Sequence, residues 1–190
     1  ALLNDKTKIK VAQVAPSVRV AIGEAFGIPA GNNMEREIAH ALKLLGFDYV
    51  FDSQFSADLT IMEEASELLE RLNGKGKLPM ITSCSSGWMK ALEQFHPDLI
   101  DNVSTCKSPM SMMSSIVKTY FADKIGRKPS EIANVAIMCC VAKKYEAKRP
   151  ELAMEDGTPA TDYVITTREL AWMIKSAGID FKNLKGQDFD

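Results

Sequence analysis

Two cysteine-containing segments carry the residues of this chain that are best suited to chemistry. Cys84 lies in Thr82-Ser83-Cys84-Ser85-Ser86, and two further cysteines lie in Met138-Cys139-Cys140. Each segment follows a short apolar run of the kind that forms a β-strand. A thiolate at a strand end, beside free backbone amides, has a lowered pKa and binds soft metals. The alternative is that each cysteine is a small buried hydrophobe. The repeated placement at strand ends favours a metal or redox site.

The cysteine count limits what such a site can be. The chain has 4 cysteines, and a four-iron cluster usually takes about four protein ligands. Cys106 lacks a comparable context and is interpreted as structural. Cys139 and Cys140 are adjacent, so at most one of their side chains is expected to face a given site. Spacing alone therefore predicts a partial metal or redox site with Cys84 and Cys140 as its main candidates.

Charged side chains at helical spacing form a second candidate site. Within residues 60–72, one apolar stripe at this spacing consists of Ile61, Ala65, Leu68 and Leu72. Glu64, Glu67 and Arg71 lie along a flank of the stripe, where partial desolvation suits carboxylates that pass protons. The alternative is a solvated face held by salt bridges. Lys143 follows Cys140 by three residues, so it could direct its ammonium at an anionic ligand instead of lying in solvent.

Strand-like and helical patterns alternate along the chain. The strand-like runs cover residues 8–14, 47–51, 79–83, 135–138 and 163–166. Helical patterns cover 18–26, 59–72, 87–95 and 109–125, and two further helices end at residues 45 and 177. Ser108 with Pro109 is typical of a helix start, and Thr166 with Glu169 of a capping box. The alternation predicts an α/β architecture with a mainly parallel sheet flanked by helices.

Composition narrows the classes of partner and location. The 190 residues include 23 basic and 25 acidic side chains, a balance that does not favour nucleic acid or an anionic membrane. No run of apolar residues is long enough to span a bilayer, and residues 1–6 lack the apolar core of a signal peptide. Cysteines without disulfide-like spacing fit a reducing compartment. We therefore expect a cytoplasmic protein with no membrane span and no nucleic-acid partner.

Several motifs, in order, resemble the catalytic H-cluster domain of the iron-only hydrogenases (FeFe-hydrogenases). The family motif Thr-Ser-Cys-Cys-Pro-x-Trp is similar to residues 82–88, and Met-Pro-Cys-x-x-Lys-x-x-Glu is similar to residues 138–146. Other similar segments are residues 15–19, 57–65, 106–109, 146–150 and 166–170. The resemblance covers nearly the whole chain, and the ordered set of motifs makes it highly specific.

The resemblance implies a cofactor and a reaction. The family carries a 4Fe-4S cluster joined through a cysteine to a diiron subcluster with CO, cyanide and a bridging azadithiolate, together the H-cluster. It interconverts dihydrogen with two protons and two electrons. Carried over by position, Cys140 would ligate the four-iron cluster, and Cys84 would hand protons to the bridging amine. The proton path to the surface would consist of Glu64, Glu67, Ser104 and Arg71.

The resemblance also implies a pocket around the diiron subcluster. Lys143 would pair with one cyanide, which suits a cation beside an anionic ligand. Pro16 and Ser17 match the segment beside the other cyanide. The pocket would be lined by Ser108, Pro109 and Met138, with Glu146 and Arg149 as buried partners behind it.

Three positions depart from the family motifs. Ser85 stands where the family has its first cluster ligand, Ser86 replaces the motif proline, and Cys139 replaces the proline before the second ligand. Serine is a poor substitute for a thiolate on iron. Either Cys84 takes over ligation, or the cluster is bound differently, or it is not bound. The candidate metal ligands are therefore Cys140, Ser85, Cys84 and Cys139.

The third cysteine motif of the family and its preceding ferredoxin-like clusters have no counterpart in residues 1–190. We therefore expect this chain to be the N-terminal part of an H-cluster domain from an anaerobic enzyme. Its partners would be a complementary C-terminal half and ferredoxin or NAD(P)-linked electron-transfer subunits. The altered motif residues favour a rival, a non-catalytic hydrogenase-like sensor or iron–sulfur assembly protein. A plain α/β interaction domain without metal is a second rival.

Overall fold

A four-stranded, all-parallel β-sheet organises the protein, whose computed structural model describes residues 2–190. The strands are β1 (Ile9–Val14), β2 (Tyr49–Asp52), β3 (Ile132–Met138) and β4 (Tyr163–Thr166), in the spatial order β2-β1-β3-β4. Every neighbouring pair of strands is parallel. The expected α/β fold with a mainly parallel sheet is confirmed.

Helices connect the strands and cover the sheet. The α-helices are α1 (Pro16–Ala21), α2 (Glu35–Leu45), α3 (Gln54–Glu70), α4 (Ser86–Phe95), α5 (Pro109–Ile116), α6 (Ala122–Lys124), α7 (Lys143–Glu146) and α8 (Thr167–Ser176). Single π turns follow α3 at Arg71–Lys75 and α5 at Val117–Phe121.

Apolar clusters lie on both faces of the sheet because successive side chains of a strand point to opposite faces. Ala12 and Val14 of β1 contribute to the larger cluster, which also contains Leu42 of α2 and Ile174 of α8. Val11 points the other way, into a smaller cluster built on α5 and its π turn. Strand β3 is buried along its whole length, as expected for an inner strand covered on both faces.

The parallel arrangement gathers the strand ends at one edge of the sheet. Val14 pairs with Asp52 and with Ile137, and Met138 pairs with Thr166. The segments that follow β1 and β3 therefore leave the sheet at the same edge, where α/β proteins usually bind their ligands.

Most predicted elements are present with shifted ends. The Thr166–Glu169 capping box forms, and the Ser108 hydroxyl caps α5 by accepting from the Ser111 amide. The strand predicted at residues 79–83 is wrong, since only Ile81 forms an isolated bridge, with Val103. This segment exchanges backbone hydrogen bonds with residues 102–104 instead of joining the sheet, and Pro79 has no N–H for a ladder.

Helix α3 turns its polar face inward and its apolar face outward. Ser56 and Thr60 are buried, and so is Arg71 in the π turn that follows. On the opposite side, the most exposed apolar side chains, each more than 60% exposed, are Phe55, Ile61, Met62, Leu69 and Leu72. The apolar stripe found in the sequence thus faces solvent. The carboxylates owe their partial burial to the inward polar face rather than to that stripe.

Candidate functional site

Three exposed cysteines lie beside the carboxyl edge of the sheet. Cys139 and Cys140 follow β3 directly, and both are exposed because the chain bends at Cys139. Cys84 is also exposed, and its carbonyl oxygen accepts a hydrogen bond of 2.8 Å from Lys143 Nζ. This bond joins the Cys84 loop to α7, the helix that follows the cysteine pair. The interpretation of these three cysteines as buried hydrophobes is therefore wrong.

Glu146 is a buried carboxylate enclosed by three serine hydroxyls and an ammonium group. It accepts from Ser86 Oγ at 2.5 Å, from Ser111 Oγ at 2.7 Å and from Ser108 Oγ. Lys143 Nζ lies 2.6 Å from Glu146 Oε2. Burial acts to raise the pKa of Glu146, but the Lys143 charge and the hydrogen bonds outweigh it and hold this pKa below its usual range. The carboxylate thereby joins α4, α5 and α7.

Lys143 is a largely buried ammonium, not a solvated one. Its side chain is 13% exposed, and it bonds the Glu146 carboxylate and the Cys84 carbonyl oxygen. An ammonium has about three N–H donors. These two bonds use two of them, so one N–H is left for an additional acceptor. This geometry suits the expected role of Lys143 beside an anionic ligand.

A second cluster of hydrogen bonds centres on Glu67. Ser104 Oγ donates to Glu67 Oε2 at 2.6 Å, and the Thr105 amide lies 3.0 Å from the same oxygen. Arg71 Nη2 lies 2.6 Å from Glu67 Oε1. Burial acts to raise the pKa of Glu67, but the bonds from Ser104, Arg71 and Thr105 lower it overall. The structure therefore brings together three of the four residues of the expected proton path.

Glu64 lies one turn earlier on α3, and its pKa is shifted in the opposite direction to that of Glu67. Its Oε1 atom is buried and has no hydrogen-bond partner within the described residues. Burial, with a smaller contribution from the Glu67 charge, raises the pKa of Glu64. Two carboxylates on one helix face thus have pKa values shifted in opposite directions, an arrangement typical of sites that separate an acid from a base.

Arg71 acts as a fixed anchor in this cluster. It donates to Glu67 through Nε and Nη2, and to the carbonyl oxygens of Lys77, Asp101 and Val103. These bonds use all of the roughly five N–H donors of a guanidinium group, which stays protonated in proteins. Arg71 therefore positions Glu67 and the surrounding loops.

The structure does not join all expected site residues. No hydrogen bond within residues 2–190 connects Cys84 with Glu64 or Ser104. Pro16 and Ser17 form the exposed first turn of α1 at the carboxyl edge. Met138 lies in an apolar cluster with Met110. Pro109 is the first residue of α5, next to the Ser108 hydroxyl.

Sequence reasoning missed several residues of these clusters. Cys106, interpreted as structural, places its Sγ atom 3.8 Å from Glu67 Oε2 and donates its amide to Ser104 Oγ. Burial raises the pKa of the Cys106 thiol. Ser111 was not singled out, although its helical spacing from Ser108 was a usable signal. Cys106, Ser108 and Glu146 all line one cavity of ≈ 140 Å³.

The donor set of the described residues does not fit a complete four-iron site. No group of three or more possible metal ligands is assembled within residues 2–190. Ser85, one of the expected ligands, lies at the N-cap of α4, where its hydroxyl oxygen accepts from the Trp88 amide at 3.4 Å. Cys140, Cys84 and Cys139 are the exposed thiols that remain, so further ligands would have to come from outside this chain.

The chain is similar in sequence and in structure to iron-only hydrogenases. A family model described as the C-terminal domain of the iron-only hydrogenase large subunit matches residues 8–190. An NADP-reducing hydrogenase subunit of Solidesulfovibrio fructosivorans is 48% identical over 99% of this chain, which matches 33% of that protein. A solved apo FeFe-hydrogenase of Chlamydomonas reinhardtii has a TM-score of 0.94 at 46% identity, covering 98% of this chain and 48% of that chain.

Iron–sulfur cluster assembly factors are also similar to this chain, at lower sequence identity. A cytosolic Fe-S cluster assembly factor of Danio rerio is 33% identical over 96% of this chain and covers 46% of that protein. The chain thus spans between a third and a half of the relatives that it matches. None of the helices within residues 2–190 is both long enough and apolar enough to cross a membrane.

Proposed function

The chain belongs to the family of iron-only hydrogenase large subunits, and on this premise we propose that it is the N-terminal part of an FeFe-hydrogenase catalytic domain. The reaction is the reversible interconversion of dihydrogen with two protons and two electrons, with redox chemistry supplied by an H-cluster when bound. The observation that carries the proposal is the inward polar face of α3, where Glu64 and Glu67 have oppositely shifted pKa values.

The carboxylates of α3 would handle the protons of this reaction. Glu64, with its raised pKa and an unpartnered oxygen, holds a proton more readily than an ordinary glutamate. Glu67 stays ionised beside Arg71 and accepts from the Ser104 hydroxyl. A hydroxyl both donates and accepts, so Ser104 can pass a proton to Glu67 while receiving another. Cys84, in the loop held by Lys143, would be the thiol at the cofactor end of the path.

The residues of this chain would hold only part of the cofactor. Cys140 at the end of β3 is the proposed ligand of the four-iron cluster, with Cys84 or Cys139 as a second thiol. Lys143, with a free donor, would face an anionic ligand of the diiron subcluster. Pro16, Ser17, Ser108, Pro109 and Met138 are proposed to line the pocket at the carboxyl edge.

The remaining ligands would come from a complementary C-terminal half, which we propose as the main partner. The outward face of α3 is an apolar surface that would be unfavourable in water, and the relatives are two to three times as long as this chain. Electron partners would be ferredoxin or NAD(P)-linked subunits, and the free thiols favour a cytoplasmic setting.

This partner proposal is tested by co-purification of the two halves. Replacing Met62 and Leu69 by glutamate would place charges on the outward face of α3 and is expected to abolish the complex. Leu44→Glu is the matched control, because Leu44 is also exposed but lies on α2. A complex that survives the α3 substitutions would rule out this face as the contact.

Activity is tested by mixing the chain anaerobically with a complementary half and a synthetic diiron precursor. Dihydrogen evolution from reduced viologen is the expected result, and its absence would sink the catalytic proposal. Glu64→Gln should lower the rate by about 10²-fold or more, as expected when a positioned proton carrier is removed. Ser130→Ala, in an exposed turn of the chain, serves as a control with unchanged activity.

A second candidate function is iron–sulfur assembly or sensing without hydrogen turnover. Ser85 favours it, because a hydroxyl at the N-cap of α4 takes the position of a cluster thiolate. Restoring the motif with Ser85→Cys and Ser86→Pro discriminates between the two. A gain in iron, acid-labile sulfide and activity supports a weakened hydrogenase site, whereas no change in any of them supports the non-catalytic function.

A further inference from the structure

Ser86 occupies the first position of α4, which is where the resembling family motif has proline. Proline is favoured at the first position of a helix because its ring fixes φ near the helical value. Serine imposes no such restriction on the backbone. The 82–86 loop, which carries Cys84, therefore needs another constraint if it is to keep one conformation.

The structure contains such a constraint in the Ser86 side chain. Its hydroxyl donates to Glu146 Oε2 at 2.5 Å, and both residues are 5% exposed. A hydrogen bond to a buried carboxylate is charge-assisted and stronger than one between neutral groups. The nearby Ser85 cap is weaker, because its oxygen lies 3.4 Å from the Trp88 amide nitrogen.

Lys143 supplies a second contact to the same loop. Its ammonium lies 2.6 Å from the same Glu146 Oε2 atom and 2.8 Å from the Cys84 carbonyl oxygen. The Lys143 contact thus falls on Cys84 itself, and the Ser86 contact falls two residues further along the chain. Both contacts meet at a carboxylate that Ser108 and Ser111 fix to the start of α5.

We propose that Ser86, Lys143 and Glu146 form a clamp that fixes the Cys84 loop in place of the motif proline. Ser86 and Glu146 are then positioning residues, since they act on Cys84 through the backbone and touch no reacting group. The clamp depends on the proposed function only for the importance of Cys84. Its effect on the loop is a property of this chain alone.

Hydrogen exchange of the Trp88 and Met89 amides, which donate to the hydroxyl and carbonyl oxygens of Ser85 beside the Cys84 loop, tests the clamp without any cofactor. Ser86→Ala is expected to speed their exchange about tenfold or more, because the loop loses a charge-assisted bond. Ser86→Thr keeps the hydroxyl and Ser86→Pro restores the ring, so both should return exchange to near the original rate. Lys143→Met, which removes the other contact, should speed exchange of the same amides.

Ser111→Ala is the matched control, because Ser111 donates to the same carboxylate but lies on α5. It should leave the exchange of the Trp88 and Met89 amides within about twofold of the original. Equal acceleration in Ser86→Ala and Ser111→Ala would mean that the carboxylate acts only on general stability. Unchanged exchange in both Ser86→Ala and Lys143→Met would also overturn the clamp. A failed hydrogenase assay would not affect either result.

Discussion

Replacing Arg71 is expected to be among the most damaging single changes on the inward polar face of α3. Arg71→Met keeps an unbranched stem of similar length but removes every N–H donor of the guanidinium group. Glu67 then loses its ion-pair partner, and the carbonyl oxygens of Lys77, Asp101 and Val103 lose a donor. The Arg71 and Glu67 side chains are only 7% and 16% exposed, so water replaces these contacts poorly.

The magnitude follows from this burial. Removing one partner of a buried ion pair costs about 3–5 kcal/mol, because the other charge is left without compensation. Lys77 and Asp101 lie in exposed segments, so their carbonyl oxygens can be hydrated, whereas Val103 is buried. We therefore expect Arg71→Met to lower the free energy of unfolding by about 3–5 kcal/mol, a large part of the ~5–15 kcal/mol typical of a domain.

Urea denaturation followed by circular dichroism measures this change, with Arg127→Met as the matched control. Arg127 also pairs with a glutamate four residues away, Glu131, but the two side chains are 50% and 38% exposed. An exposed pair contributes about 0–1 kcal/mol, so this control should change little. Equal effects of the two substitutions would refute the argument from burial.

The pH dependence gives a second check on the same substitution. The lowered pKa of Glu67 means that its ionised form stabilises the fold above the pKa of the unfolded chain. That contribution is lost as the pH falls through the folded-state pKa. In Arg71→Met the pKa of Glu67 should rise, so the stability difference between the two proteins should narrow as the pH falls below about 4. A difference that stays constant with pH would contradict the assigned cause.

Three further predictions concern other buried polar groups. The Lys118 side chain is only 1% exposed, and its Nζ lies 2.8 Å from Asp162 Oδ2. Lys118→Met should therefore lower the free energy of unfolding by about 3–5 kcal/mol, because it leaves Asp162 without its ion-pair partner. Adding Asp162→Asn should recover part of this loss in thermal unfolding. Ser114→Ala leaves the Gln13 amide donor, now 2.7 Å from Ser114 Oγ, without a partner and should cost about 1–3 kcal/mol in urea unfolding. Glu64→Gln should stabilise the protein more at pH 7 than at pH 4, because a raised pKa contributes stability that is lost as the pH rises.

The sheet was predictable from the sequence because its strands are locally encoded. The runs that became β3 and β4 are β-branched and apolar, and the Thr166–Glu169 capping box marked the start of α8 within one residue. Residues 79–83 show the limit of this reasoning. Their apolar run looks like a strand, but long-range pairing with residues 102–104 decides their structure, and no local pattern reveals that partner.

The candidate site was predictable only as far as residue identities allow. Glu64, Glu67 and Arg71 were found through helical spacing. The spacing attributed their burial to the neighbouring apolar stripe, whereas in the structure that stripe faces solvent. Periodicity shows which residues share a face and does not show which face points inward. The serine hydroxyls around Glu146 were less visible still, because they come from two helices that meet only in the folded chain.

The orientation of α3 links the proposed proton path to the proposed docking of a complementary half. A polar inner face is needed to place carboxylates and hydroxyls between α3 and the loop at residues 103–106. The same helix orientation turns the apolar residues of α3 outward, where their contact with water is unfavourable. A covering partner would remove that surface from water and would further desolvate the neighbouring carboxylates. Shielding of the path and docking of the complementary half would then be two consequences of one helix orientation.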